Sequence, residues 1–342
     1  MCGDRTAVRG GPLWATILLC AATGAFAADA KPGPALDVVA DVPLPGDTSR
    51  FDYQSLDTGR HLLFIAHLGA GEVLAFDTQT RKLVAKIGDI AHVHGVLAIP
   101  ELERVYASAT GTNEVVALDE SNLAIIDRIP AGKYPDGMAY APEVHKLYVS
   151  DETGTTETVV DVQTDRRVAT ITLGGEVGNT KYDSVSRHIF VNVQSRRQLV
   201  EIDPGADKVI ARHELPDAKG NHGLLIDARL RLAFIACEDN DKLLVFDLAA
   251  QEVKSSFDVG RGPDVLAEDE ALGLVYVASE SGTVSLFKLD ADRVVKLADQ
   301  QLAPNAHVVA VDSATHLAYF PIKNLDGHPL LRITRPASLG TN

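Results

Sequence analysis

Cysteine, tryptophan and membrane-spanning length are what this sequence has least of. Its 342 residues include three cysteines and one tryptophan, and Cys2, Cys20 and Trp14 all fall within the first 27. That segment carries Arg5 and Arg9, an apolar run over residues 12–22 and then Ala25-Phe26-Ala27, the small-x-small pattern of a signal-peptidase site. Export to the periplasm or beyond, with cleavage after Ala27, is expected. A lipid anchor at Cys20 fits less well, because Leu19 stands where a small residue precedes a modified cysteine. A chain beginning at Ala28 holds Cys237 alone, so an intrachain disulfide is excluded and packing must supply the stability. Without tryptophan, a sugar site built on indole stacking is disfavoured. No later stretch reaches the ~18 continuous apolar residues of a membrane helix. Loss of Arg5, Arg9 and Asp4 with the leader moves the net charge from -15 to -16. A field of that sign repels a phosphate backbone and argues against general nucleic-acid binding.

Helical periodicity is missing as well. What is present is a repeat, and with 46% hydrophobic residues it can bury a full core. A short β-rich run occurs seven times: LLFIAHL from Leu62, RVYASAT from Arg104, KLYVSDE from Lys146, HIFVNVQ from His188, LAFIACE from Leu232, LVYVASE from Leu274 and LAYFPIK from Leu317. A second run ends in Asp77, Asp119, Asp161, Asp203, Asp247 and Asp290, spaced 42, 42, 42, 44 and 43, with Thr334 in the seventh copy. Each of these aspartates is expected to open a turn by accepting backbone N–H groups. Four strand-length segments per unit of ~40 to 45 residues are the mark of a β-propeller blade. The seventh unit stops at Pro336 after three strands, while residues 37–45 precede the first unit and resemble fourth strands. The expected fold is therefore all-β, a seven-bladed propeller of four-stranded antiparallel blades over residues 37–336, closed by an N-terminal strand that completes the last blade. Residues 1–27 are read as the signal peptide, 28–36 as a flexible N-terminal segment and 337–342 as a C-terminal tail.

The stretches KLYVSDETGTTETVVDVQTDRRVATITLGG and VYVASESGTVSLFKLD resemble the YVTN-repeat family of bacterial propellers, the YncE-like group of exported proteins. The resemblance covers residues 37–336. It implies a seven-bladed exported protein with a role in binding other molecules. Because the repeat describes strands and turns rather than a site, it is specific for fold and says little of function.

Chemistry is sought where the units differ. In a propeller the first strand of each blade is innermost, so the residues entering it face one another across the channel mouth. Alignment on the second strand places Asp52, His94, Asp136, Gly178, His222, Asp264 and His307 at that entry. Two residues earlier stand Arg50, His92, Tyr134, Glu176, Gly220, Gly262 and Asn305. Arg50, His92, Tyr134 and Glu176, with Asp52 and Asp136, are the candidate ligand-binding set, forming a chemically rich half of the mouth. His94, His222, His307 and Asp264 are the candidate ligands of one divalent ion, Zn, Cu, Mn or Fe, by donor type. The competing reading is a ring of polar side chains solvated by the channel. Glu268 replaces apolar residues of the other units, and Lys181 replaces Ser, Leu or Ala. Regular hairpin pairing predicts side-chain pairs Asp52/His67, Asp136/Asp151 and His222/Cys237.

Two functions are expected from this ring. The first is a binding module holding a small molecule, a divalent ion or a protein segment. The second is a metal-assisted lyase or lactonase with His94 or His222 as base, Arg50 as anchor for an anionic substrate and Glu268 as a further candidate.

Overall fold

The computed structural model describes residues 3, 7, 35–290 and 293–337 of the chain. Apart from residues 3 and 7, the expected signal peptide, residues 28–34 and the tail beyond residue 337 lie outside the described residues. The fold is a seven-bladed β-propeller. Its seven sheets each hold four antiparallel strands. Blade one is typical, with strands Gln54–Asp57, Leu62–His67, Glu72–Asp77 and Lys82–Ile87 running from the channel outward.

The burial pattern follows from position in the wheel. Second and third strands lie between neighbouring blades on both faces, so they are mostly apolar and buried rather than alternating, with polar exceptions such as Asp151 and Glu157; Leu232–Cys237 and Leu274–Ser279 are buried at every residue. Fourth strands meet solvent on one face and alternate, as in Glu252–Asp258. Seven apolar clusters result, one at each interblade contact, and the one between blades seven and one joins Leu44, Phe51 and Leu63 to Tyr319 and Leu331. Five of the six repeated aspartates, Asp77, Asp119, Asp161, Asp203 and Asp247, open the third-to-fourth turns as expected. Asp77 Oδ1 accepts the N–H groups of Gln79 and Thr80 at 2.9 and 2.7 Å, and Asp247 Oδ1 those of Ala249 and Ala250 at 2.9 and 2.8 Å.

Closure is made by the N-terminal strand Leu36–Pro43, which pairs with His328–Pro336 as the outer strand of blade seven. Arg332 forks onto Asp41 across this pair, with Nε and Nη2 at 2.8 and 2.7 Å from the two carboxylate oxygens. The strand begins at Leu36, one residue before the expected start.

The innermost strands carry a feature that regular pairing does not anticipate. Pro135 lies opposite Asp151 but Met138 lies opposite Val149, so one extra residue is accommodated between them. The same shift falls between Val93 and Val96, Val177 and Thr180, Asn221 and Leu224, and Pro263 and Leu266. These are β-bulges, and each contains the ring residue of its blade. The expected cross-strand pairs are displaced accordingly. Asn221, not His222, faces Cys237, and Pro135, not Asp136, faces Asp151. Cys237 is buried among Phe190, Leu199 and Leu244, where burial pushes its thiol up to about 12. His67 does not pair with Asp52; it stacks on Phe51 with ring centroids 4.2 Å apart and lies 3.3 Å from Glu72 Oε1.

Candidate functional site

A bulge turns its side chain out of the ladder, here toward the channel, and two glycines let neighbouring blades close on it. A Cβ on Gly95 would meet Asp136 O at 2.2 Å, and one on Gly223 would meet Asp264 O at 2.0 Å. Backbone therefore touches backbone at the ring, which narrows the mouth and brings distant entries within reach of one another. The result is a cleft of about 400 Å³. Arg50, Asp52, His92 and His94 line it from blades one and two. Tyr134, Asp136, His222 and Asp264 line it from blades three, five and six.

The remaining sequence candidates lie elsewhere. Glu176 is exposed outside this lining. His307 is buried beside Asp264, its Nε2 3.9 Å from Asp264 Oδ2. Glu268 is at the far end of its strand, beside Asp227, where burial pushes it up to about 8. It is separate from the mouth chemistry. Burial alone lowers the Lys181 ammonium, and no acidic partner touches it among the described residues.

Three carboxylates of this region were not singled out in the sequence. Glu152, Glu238 and Glu280 are the residues that leave the second strands of blades three, five and six, so they return to the same mouth. Their equivalents are Leu68, Thr110, Gln194 and Lys323. Aligning the last letter of each quoted β-run would have exposed this ring. Tyr53 was also missed, although its counterparts are Gly95, Gly137, Asn179, Gly223, Val265 and Val308. Its hydroxyl reaches across the channel to 3.0 Å from His222 Nε2 and accepts Asn179 Nδ2–H at 2.8 Å, giving the cleft a floor.

Charge at the mouth is unbalanced. Asp52, Asp136, Glu152, Glu238, Asp264 and Glu280 face Arg50 and His222. Burial pushes Asp136 up to about 7, and pushes Asp52 well above the carboxylate range with Asp264 adding to it. Burial likewise carries Glu238 up to about 7 and raises Glu152. Burial works to lower His222, but Glu238, Asp136 and Asp264 outweigh it and carry the imidazole to about 9. His222 is thus a cation at neutral pH. Its Nε2 lies 3.5 Å from Asp136 Oδ2.

His94 has the opposite character. Its Nδ1–H donates to His92 O at 2.9 Å, which fixes the tautomer and leaves Nε2 to accept the Tyr134 hydroxyl at 3.1 Å. Burial holds it down to about 4. With one histidine protonated and the other's lone pair engaged, neither is a free base as it stands. His94 also stands apart from the two groups with metal-ligand spacing found among the described residues. In these, His222, Glu238 and Asp264, and Asp264, Glu280 and His307, each offer ligand atoms within 4.8 Å of one another.

His92 and Tyr134 have φ of 50° and 63°, and Gly220, Gly262 and Asn305, at the aligned position, have 59°, 63° and 60°. Five of the seven blades hold this position left-handed, Arg50 and Glu176 being the exceptions, which suits the glycines and asparagine there. Histidine and tyrosine hold it at a cost of about 1 to 3 kcal/mol, as do the many left-handed non-glycine residues of the blade turns.

These shifts fix a pH dependence. A carboxyl whose folded pKa exceeds its unfolded value gives stability that is complete below the unfolded value and lost as pH rises through the folded one. For Asp136 and Glu238 the window runs from their ordinary values, 3.8 and 4.5, to about 7. The melting temperature at pH 5 is therefore expected to exceed that at pH 8, and Asp136→Asn to shrink the difference in thermal melts. An equal difference in the variant contradicts the assignment.

No family model and no curated protein matches the chain. Solved structures do. Hydrazine synthase from Kuenenia stuttgartiensis is 13% identical with a TM-score of 0.73 over 87% of this chain and 97% of its own. Virginiamycin B lyase from Staphylococcus aureus is 9% identical, TM-score 0.72, over 86% and 98%. The RRP9 WD40 repeats are 11% identical, TM-score 0.74, over 88% and 100%. At such identities the likeness shows the propeller fold and nothing of the reaction.

Proposed function

We propose that this protein is an exported binding module whose channel mouth takes a cationic ligand, a divalent metal ion foremost. The observation that carries the reading is the imbalance at the mouth, six carboxyl groups converging on Arg50 and His222 alone. Burying like charges together is costly, as the raised carboxyls show, and a bound cation repays that cost at the mouth. The leader-like residues 1–27 and the resemblance to exported YVTN-repeat propellers support the location. A metal-assisted lyase or lactonase receives less support, because neither His94 nor His222 is a free base. One of the similar structures is a lyase by name, but at 9% identity that carries no weight for chemistry.

The test uses protein recovered from the periplasmic fraction, whose first residue is Ala28 if the leader is cleaved as expected. Melting is followed in chelator and then in Mn²⁺, Zn²⁺ or Ca²⁺. An ion present at 100 times its Kd adds about 2.7 kcal/mol, or about 5 °C in a domain of this size. The shift should disappear on returning to chelator. Identical melting in chelator and in every ion refutes the reading.

A further inference from the structure

One corner of the mouth holds an unmatched nitrogen. His307 is 1% exposed, and its Nδ1–H donates to Asn305 O at 3.0 Å. The tautomer is thereby fixed, leaving a lone pair on Nε2, which has no hydrogen-bond partner. That lone pair stands 3.9 Å from Asp264 Oδ2 and 3.9 Å from Glu280 Oε1. Two carboxylate oxygens and one imidazole nitrogen, all acceptors, thus converge from blades six and seven. Asn305 supports both neighbours, since its Nδ2 also donates to Glu280 Oε2. A backbone carbonyl on the far nitrogen is how a metal-ligating histidine is usually oriented.

The same two oxygens are held by Arg50. Its Nη1 donates to Glu280 Oε1, its Nη2 lies 3.4 Å from Asp264 Oδ2, and its Nε lies 3.5 Å from Asp52 Oδ2. The guanidinium does not reach His307 Nε2, which is the atom left over. A positive group is therefore already seated on two-thirds of a metal-ligand set, carried on a flexible stem whose backbone is pinned by Gly69 N–H to Arg50 O at 3.2 Å. Two cations cannot share these oxygens without strong repulsion.

We propose that Asp264, Glu280 and His307 form a divalent-cation site that Arg50 and the ion occupy in turn, so that ion binding frees the Arg50 guanidinium into the mouth. The proposal rests on the cation-binding reading above and specifies where the ion sits and what it displaces. One imidazole nitrogen with two carboxylate oxygens suits Mn²⁺, Fe²⁺ or Zn²⁺, with water completing the shell. The displaced guanidinium, beside Asp52 at the rim, becomes a fork for a carboxylate or phosphate ligand only while the ion is present. Cation and anion would then bind with positive coupling.

Mn²⁺ is titrated by calorimetry into the wild type, Arg50→Gln, His307→Gln and Glu238→Gln, each checked for native melting. Arg50→Gln is expected to bind at least tenfold more tightly than wild type, because no resident cation must leave, and His307→Gln at least tenfold more weakly. Should Arg50→Gln fail to fold, the Arg50 Nε–H resonance of the wild type supplies the answer, since Zn²⁺ must shift it. Unchanged affinity in Arg50→Gln, or an unmoved resonance, overturns the exchange. If Glu238→Gln alone abolishes binding while the other two variants match wild type, the ion lies at His222 and Glu238, and the mouth reading survives without this proposal. Absence of binding in all four proteins overturns both.

Discussion

A chain shortened to begin at Leu44 will lose cooperative melting near the wild-type temperature, or melt at least about 10 °C lower. The cut removes every residue pair between Leu36–Pro43 and the last strand, including Leu36↔Pro336 and Pro43↔Leu330. It also strips Leu36, 1% exposed, from the cluster of blades six and seven, and Val39, Ala40 and Val42 from that of blades seven and one. Arg332 loses the Asp41 carboxylate. The strand is ordered in the closed ring, so its ladder hydrogen bonds, its apolar contacts and the Arg332–Asp41 pair together exceed the ordering entropy of its eight residues, about 1 to 2 kcal/mol each, and all of them are lost with the cut. A loss of about 5 kcal/mol corresponds to roughly 10 °C in a domain this large. The exposed edge of the last blade would also recruit other chains, so size-exclusion chromatography should show aggregation. A peptide of residues 35–43 added in trans should restore melting in a concentration-dependent way. A shortened chain with wild-type melting contradicts the closure.

Asp264→Asn has the second large effect, and its two consequences run in opposite directions. Asp264 belongs to both groups with metal-ligand spacing and is 4% exposed. Its charge is the next cause, after burial, of the raised Asp52 carboxyl. Neutralising it relieves that repulsion, while Arg50 keeps Asp52 and Glu280. The variant should therefore melt at or above the wild-type temperature at pH 7.5. Its cation affinity should nevertheless fall at least about 100-fold, since even the outer partners of metal ligands are worth about 10- to 100-fold. A residue serving only the fold would lose stability instead.

The wheel was legible because its cause is periodic. Each blade repeats the same strand lengths and turn aspartates, so the count of strands predicted a closing strand over residues 37–45, one residue late at its start and two at its end against Leu36–Pro43. The ring of Asp52, His94, Asp136, His222, Asp264 and His307 was legible for the same reason. What lay beyond the alignment was local geometry. Regular pairing rules place His222 opposite Cys237, and only a bulge, an energetic compromise between ladder and channel, moves it by one. The glycines at 95 and 223 were the available signal, since a side chain there would strike the next blade's backbone. Glu152, Glu238 and Glu280 were overlooked because the reading followed first-strand entries and not second-strand exits, although both open on one mouth. Burial lowers both His94 and His222; what separates them is the carboxylates of Glu238, Asp136 and Asp264 around His222, which come from blades far apart in sequence.

The most direct test of the account is calorimetric titration of Mn²⁺ into the metal-free protein at pH 7.5, with Asp264→Asn measured alongside. A saturable site in the wild type that weakens at least about 100-fold in a stably folded Asp264→Asn is the predicted result. Equal affinities in the two proteins, or no binding heat in the wild type, would contradict it.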